Sequence, residues 1–371
     1  GLPCTPSQIS EIELIPTTYL LALPMGAWIN GILWSIGAIF CWGTAMVFLK
    51  LDHIKRLGFR PISLTYLYSI GYLATAAAAF ATTRTLDHKD IPITTFGIIG
   101  GLIWAAGKLF GILAVTNAAG IAMGQSIQCC VNIMTAFLAG ACFGENVFFW
   151  QLVGMTLLIL GLMMVAAPGM NFTKQALSAK SDADLELKPL VKSGTPSSVG
   201  MLGSMCAAMI SGFCMGVQSV PFKLSGDDDA LSYAFSGSLA QFCVLSVVFF
   251  VERMFLMFST ESPANALLNY TVEADTATAF FANGLPAGLA GGLLLFTAAV
   301  CNTSAVSEIG LVGACLGQMN MVVAGIWGIA LFKEIRDQTL ITLFFIGSFI
   351  ALGGAILLEM GGSVLTAGPI G

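Results

Sequence analysis

The sequence predicts an all-α polytopic membrane protein, with ten transmembrane helices arranged as two five-helix inverted repeats. Three observations lead there: an apolar composition, a regular series of helix-length apolar runs, and motifs of the first half that recur in the second. Of 371 residues, 57% are hydrophobic and 9% charged, with a mean hydropathy of +0.88. A soluble domain carries about 25% charged residues. The net charge of −5 resides in loops, and no basic nucleic-acid surface is present.

Residues 1–30 contain Pro3, Pro6, Pro16 and Pro24, and the apolar run between the last two is too short to span. They read as an interfacial lead-in without the basic start of a signal peptide. The first repeat covers residues 31–167. Its spans are 31–49, ended by Lys50; 62–82, rich in Ala and Tyr; two within 95–145; and 147–167, stopped by Pro168-Gly169. Within 95–145, Gly97 and Gly101, Gly107 and Gly111, Gly120 and Gly124, and Gly140 and Gly144 are each four apart. That spacing lets membrane helices approach closely. Residues 168–199 form a polar linker containing Lys174, Asp182, Glu186 and Lys192. The second repeat covers residues 200–358, with spans at 201–222, 231–251, 284–302, 309–332 and 340–358, and an acidic connection at 252–275. Glu308 is expected to begin the ninth helix, where a carboxylate complements the dipole. Residues 359–371 are a tail.

The two halves match. Phe40, Cys41, Gly43, Val47 and Lys50 recur at identical spacing as Phe213, Cys214, Gly216, Val220 and Lys223. Gly100-Gly101 recurs as Gly291-Gly292, and Phe143-Gly144-Glu145 as Phe332-Lys333-Glu334. Five spans is an odd number, so the second copy enters the membrane reversed. In transporters built this way, the substrate site lies near the midplane at the repeat interface.

The stretch GGLIWAAGKLFG (100–111), with Gly120, Ala122, Ile127, Asn132 and the closing Phe143-Gly144-Glu145, resembles the drug/metabolite transporter superfamily. Within it, the chain is most similar to the glucose/ribose porter and transmembrane protein 144-like carbohydrate transporters, over most of residues 31–358. The resemblance implies alternating-access movement of a small polar metabolite, first of all a sugar. It also implies a lysine at Lys50 and Lys223, and structural or gating roles for Glu145 and Glu334. Lys108 departs from it: the family often carries Asn or Gln after this glycine, and a lysine suits an anionic substrate better.

The candidate substrate-binding residues are polar or aromatic side chains inside apolar spans, each with a plainer alternative. Gly97, Gly101, Trp104, Lys108 and Gly111 share one helix face. Lys108 either faces a cavity or snorkels to the interface. Gln125, Gln128 and Asn132, with Thr135, form the next helix's polar face; they bind solute or hold helices together. Gln318 and Asn320 are their counterparts in the second half, two apart and so unable to face one direction. Trp104 and Trp327 stack on a sugar ring or serve as packing and interface residues. Gln218, between Gly216 and Lys223, is a further cavity candidate. Lys50 and Lys223 guide an anion or anchor helix ends.

Two glycosylation motifs differ in prospect. Asn302 ends a buried span and is not expected to be modified, whereas Asn269 lies in a loop. The basic loop residues, among them Lys55, Arg56, Arg60 and Arg253, concentrate on one side and place both termini outside by the positive-inside rule. The resembled superfamily has both termini in the cytosol, and a glycan on Asn269 would favour that arrangement.

Catalytic classes find no support. HExxH, GxSxG and P-loop motifs are absent from the sequence. Nine of ten cysteines lie in apolar runs without a CxxC pair, and read as packing residues. No metal and no cofactor are expected. The expected partners are the lipid bilayer and a small-molecule substrate. The function read from the sequence is therefore a secondary transporter or facilitator, not an enzyme, in the plasma membrane or an internal one. The alternatives are transport of an anionic metabolite, nucleotide sugar or amino acid, or a non-transporting receptor or scaffold.

Overall fold

The computed structural model describes residues 25–45, 47–48, 51, 54, 61–86, 92–116, 120–142, 149–165, 198–225, 229–258, 282, 284–332 and 337–363. The first half comprises α1 (Met25–Ala45), α2 (Pro61–Leu86), α3 (Thr95–Thr116) and α4 (Gly120–Cys142), then α5 (Phe149–Val165). The second comprises α6 (Ser198–Val217), α7 (Val220–Ser225), α8 (Ala230–Phe258), α9 (Leu285–Ile309), α10 (Leu311–Leu316), α11 (Asn320–Ala330) and α12 (Gln338–Ser363). Among the described residues there is no strand.

Seven helical stretches are long and apolar enough to cross a membrane, and three shorter apolar helices accompany them: Ile29–Ala45, Ile127–Cys142 and Phe149–Val165. Large apolar side chains cover the outside, as Phe349, Phe255 and Phe149 show at 72%, 71% and 69% exposure. That surface suits lipid.

Caps and local bonds explain why these residues stay helical. Thr94 caps α3 by accepting from Gly97 N–H at 3.0 Å, and Asp229 caps α8 by accepting from Ser232 N–H at 2.7 Å. Within the spans, hydroxyls turn back onto their own helix. Thr75 donates to Gly71 O, Thr303 to Ala299 O and Ser348 to Phe344 O, each at 2.8 Å. Serine and threonine thus sit within apolar helices without an unsatisfied donor.

Several boundaries differ from the expected spans: α8 runs to Phe258, seven residues into the expected acidic connection, α12 runs to Ser363, and three further differences shape the interior. The helix from 198 stops at Val217 because the ring of Pro221 clashes with the carbonyl four residues back; the chain turns at Gln218-Ser219 and resumes as α7. The helix from 285 continues seven residues past Asn302 to Ile309, so Glu308 lies exposed in its last turn, not at the start of the next helix. The ninth span is broken. Gly310 adopts φ 71°, a left-handed conformation that glycine takes without strain, and a 3-10 turn at Gly317–Met319 separates α10 from α11. Residues 1–24 of the lead-in, the linker before Ser198, Lys50, Glu145, Asn269 and Glu334 lie outside the described residues, and the lead-in's last six residues, 25–30, form the start of α1.

Packing follows the repeated motifs. Gly43 of α1 lies against Asn320 O and Val323; Gly216 of α6 lies against Asn132 O and Thr135. Gly291 of α9 lies beneath the Tyr68 ring, and Gly100 of α3 beneath Tyr233. Tyr68 donates to Ala45 O at 2.9 Å, and Tyr233 to Gln218 O at 2.5 Å. Ala45 and Gln218 occupy the same place relative to Gly43 and Gly216. The helices α5 and α12 meet through Gly154 and Gly161 on one side and Gly347 and Gly354 on the other, small residues that let two backbones touch. Around these crossings lie two apolar clusters. One joins α4, α5, α11 and α12 through Ile133, Leu158, Met321 and Phe344. The other joins α1, α2, α3, α8 and α9 through Trp42, Tyr72, Trp104, Ala234 and Phe296.

Candidate functional site

The second cluster surrounds a cavity. The first half supplies Trp42 from α1, Tyr72 from α2, and Gly100, Gly101 and Trp104 from α3. The second half supplies Gln218 and Ser219 from the turn after α6, Tyr233, Ala234 and Gly237 from α8, and Ala299, Asn302 and Thr303 from α9. The empty volume is about 440 Å³, part of it open to the outside.

Local structure places each wall. The Pro221 break puts the Gln218-Ser219 turn where an unbroken helix would have passed. The absence of a side chain at Gly100 admits the Tyr233 ring, and the contact between Gly101 and Gly237 brings α3 and α8 backbone to backbone. Trp104 is held by Tyr72, ring centroids 4.7 Å apart and tilted 50°, and Tyr72 by Phe296 at 5.3 Å, edge-on. The cavity lies toward one end of the bundle: Gly100 is early in α3, Gln218 follows the end of α6, and Tyr233 is early in α8. Tyr68, which pairs with Ala45, is not among its lining residues.

The polar groups of the cavity divide into engaged and open ones. The Tyr233 hydroxyl is bonded to Gln218 O, and the Thr303 hydroxyl to Ala299 O. Asn302 is buried, 4% exposed, and its Oδ1 has no hydrogen-bond partner. None of the described lining residues is charged. Tyr233→Phe is expected to lower stability by about 1 kcal/mol, read as a fall of about 1–2 °C in the thermal midpoint of detergent-solubilised protein. Tyr68→Phe should do likewise, because both remove the donor to a carbonyl at or just past the end of α1 or α6.

The sequence-predicted residues divide clearly. Trp104 and Gln218 line the cavity. Lys108, one turn along α3, does not; its Nζ lies over the Trp104 ring, 5.1 Å from the centroid. Gln125, Gln128 and Asn132 also lie outside it. Gln125 and Asn132 are buried, and the backbone at Gln128 and Asn132 packs on Gly212 and Gly216 of α6. Gln318 donates to Ala314 O at 3.3 Å and Asn320 to Gly317 O at 2.9 Å, both around the break in the ninth segment. Trp327 donates to Thr44 Oγ1 at 3.1 Å, tying α11 to α1.

Sequence reasoning did not single out Trp42, Tyr72, Ser219, Tyr233 or Thr303. Asn302 drew notice only as a glycosylation motif, because the polar run from 302 to 308 resembles a helix end. The self-bonded hydroxyls of Thr303 and Ser307 let α9 continue, which leaves Asn302 two turns inside. A useful signal was an asparagine in register with the Gly291-Gly292 face of the same helix.

No protein-family model matches the chain. A 79-residue stretch, 21% of the chain, is 28% identical to Transmembrane protein 144 homolog B of Dictyostelium discoideum. The match spans 20% of that relative's length. The fold is similar to that of a protein solved by crystallography, with a TM-score of 0.58 over 89% of this chain and 96% of the other. Their sequences are 13% identical, so the likeness concerns the fold alone. The chain is an integral, multi-pass membrane protein.

Proposed function

We propose that the protein is a secondary transporter or facilitator of a small, neutral, polar solute, with carbohydrates the favoured class. The observation that carries this reading is the cavity: both halves of the chain build it, aromatic rings and carboxamides line it, and none of the described lining residues is charged. Rings suit the C–H faces of a sugar, and carboxamides suit its hydroxyls. In this reading residues 31–167 and 200–358 are the two five-helix inverted repeats of a drug/metabolite-type transporter, ten helices in all. The equivalent contacts that Gly43 and Gly216, Gly100 and Gly291, and Tyr68 and Tyr233 make with their respective partners support it. Access alternates as the two halves rock. The cavity at the Tyr233 end is one access state, and closure there accompanies opening at the Tyr68 end.

One observation favours a second reading. Lys108 is a cation one turn from a cavity wall, and a modest movement of Trp104 would bring its charge to an anionic metabolite. A thermal-shift panel separates the two, using purified protein with monosaccharides, sugar phosphates, nucleotide sugars and amino acids. A ligand at about 100 times its dissociation constant stabilises by roughly 2.7 kcal/mol. The expected result is stabilisation by neutral sugars that persists in Lys108→Ala. Stabilisation by anions alone, lost in Lys108→Ala, establishes the second reading instead.

A further inference from the structure

We infer that the 3-10 turn at Gly317–Met319 is a hinge on which α11 swings to open the Tyr68 end of the protein, with Gln318 and Asn320 holding the joint. The inference rests on the transporter reading and deepens it. The fourth span of the first repeat, α4, is one helix from Gly120 to Cys142, whereas its counterpart in the second repeat is divided into α10, the turn and α11. A 3-10 stretch inside a helical span often marks a hinge. Carbonyls at such a break are costly in apolar surroundings unless other donors reach them. Here side chains of the joint itself do so: Gln318 Nε2 donates to Ala314 O at 3.3 Å and Asn320 Nδ2 to Gly317 O at 2.9 Å. Both donors belong to the moving segment, so the bonds travel with it.

The last turn of α1 connects the joint to the cavity, through four consecutive residues. Trp42 walls the cavity and lies against Gly317. Gly43 lies against Asn320 O, where the turn passes into α11. Thr44 Oγ1 accepts from Trp327 Nε1 at 3.1 Å, and Ala45 O accepts from the Tyr68 hydroxyl at 2.9 Å. A solute resting on Trp42 therefore bears on the hinge through a single ring. The bond from Trp327 to Thr44 ties α11 to the end of α1, and it parts when α11 swings. Gly325 of α11 lies beneath the Phe344 ring, so α12 follows the movement.

The test uses the full chain and reads glucose binding in detergent beside glucose counterflow in proteoliposomes, for wild type, Gln318→Leu and Asn320→Leu. Neither residue is among the described cavity-lining ones, so both variants should bind glucose as wild type does. Their counterflow should fall about tenfold, the worth of a hydrogen bond lost from the joint. Asn320→Ser should regain counterflow, because a serine hydroxyl reaches the carbonyl three residues back, as Ser238 reaches Phe235 O at 2.6 Å. Wild-type counterflow in both leucine variants overturns the hinge and leaves the transporter reading standing. Binding and counterflow lost together in a folded variant also overturn it, since that is the mark of a merely structural residue. A measurement on wild type alone stands beside these should a variant not fold. Glucose should shift amide hydrogen exchange at residues 317–330 and leave α5 unchanged; no shift at 317–330, or an equal one in α5, overturns the hinge. Wild type that neither binds nor exchanges glucose overturns the carbohydrate reading, and the inference with it.

Discussion

Trp104→Ala is expected to reduce uptake of the transported solute to below about a tenth of wild type while the protein still reaches the membrane. Trp104 is 6% exposed and has three roles. It walls the cavity, packs on Tyr72 at 4.7 Å, and receives the Lys108 cation on its face at 5.1 Å. Truncating a large buried aromatic typically costs about 3–5 kcal/mol, through lost contact and the void left behind. Here part of that void merges with the cavity, so the loss falls on binding as well as on folding. The contact with the lysine adds about 0.5–2 kcal/mol. Trp104→Phe keeps a ring against Tyr72 and should retain more uptake than Trp104→Ala. Trp150 is the control, 56% exposed on α5; Trp150→Ala should leave uptake near wild type. Uptake in proteoliposomes, normalised to reconstituted protein, checks all three. Full uptake by Trp104→Ala would remove the cavity from the mechanism.

Gly292→Ala should lower stability through a clash that the backbone cannot relieve. The added carbon would meet the backbone of Gly71 and Tyr72 on α2, and backbone cannot move aside as a flexible side chain does. Overpacking typically costs about 1–3 kcal/mol, and the rigid neighbour puts this site at the upper end. The displaced residue is also Tyr72, which walls the cavity and positions Trp104, so binding should weaken in parallel. Gly353→Ala gives the opposite sign. No atom lies within 4 Å of its added carbon, and alanine favours helix over glycine by about 1 kcal/mol. At one scan rate in one detergent, the thermal midpoint should fall by about 3–4 °C for Gly292→Ala and hold or rise for Gly353→Ala. A Gly292→Ala protein that melts with wild type would contradict the close crossing of α2 and α9.

The membrane class was legible because lipid leaves a long chain few options, and apolar runs of helix length record them. The repeated motifs were also legible as contacts. Gly43 and Gly216 were paired by spacing, and they meet equivalent partners on α11 and α4. The cavity was less legible. A carboxamide inside an apolar run advertises polarity without saying which neighbour satisfies it. Gln318 and Asn320 turned out to bond carbonyls near their own helix break, and Trp327 to bond Thr44. Trp42, Tyr72 and Tyr233 carry no polarity signal that separates a cavity wall from ordinary packing; only the approach of α1, α2, α3 and α8 does that. Asn302 was hidden by its neighbours, because a Thr-Ser run that would end a helix in water ends nothing once its hydroxyls bond their own backbone.

Counterflow in proteoliposomes tests the central claim most directly. Vesicles holding the reconstituted protein are loaded with the unlabelled sugar that best stabilises it, then diluted into a trace of the labelled sugar. A carrier that alternates between two access states should accumulate label transiently above the outside concentration. The overshoot should require internal sugar, saturate with external sugar, and vanish in Trp104→Ala. Binding without any counterflow would contradict the transporter account and leave a receptor built on the same fold.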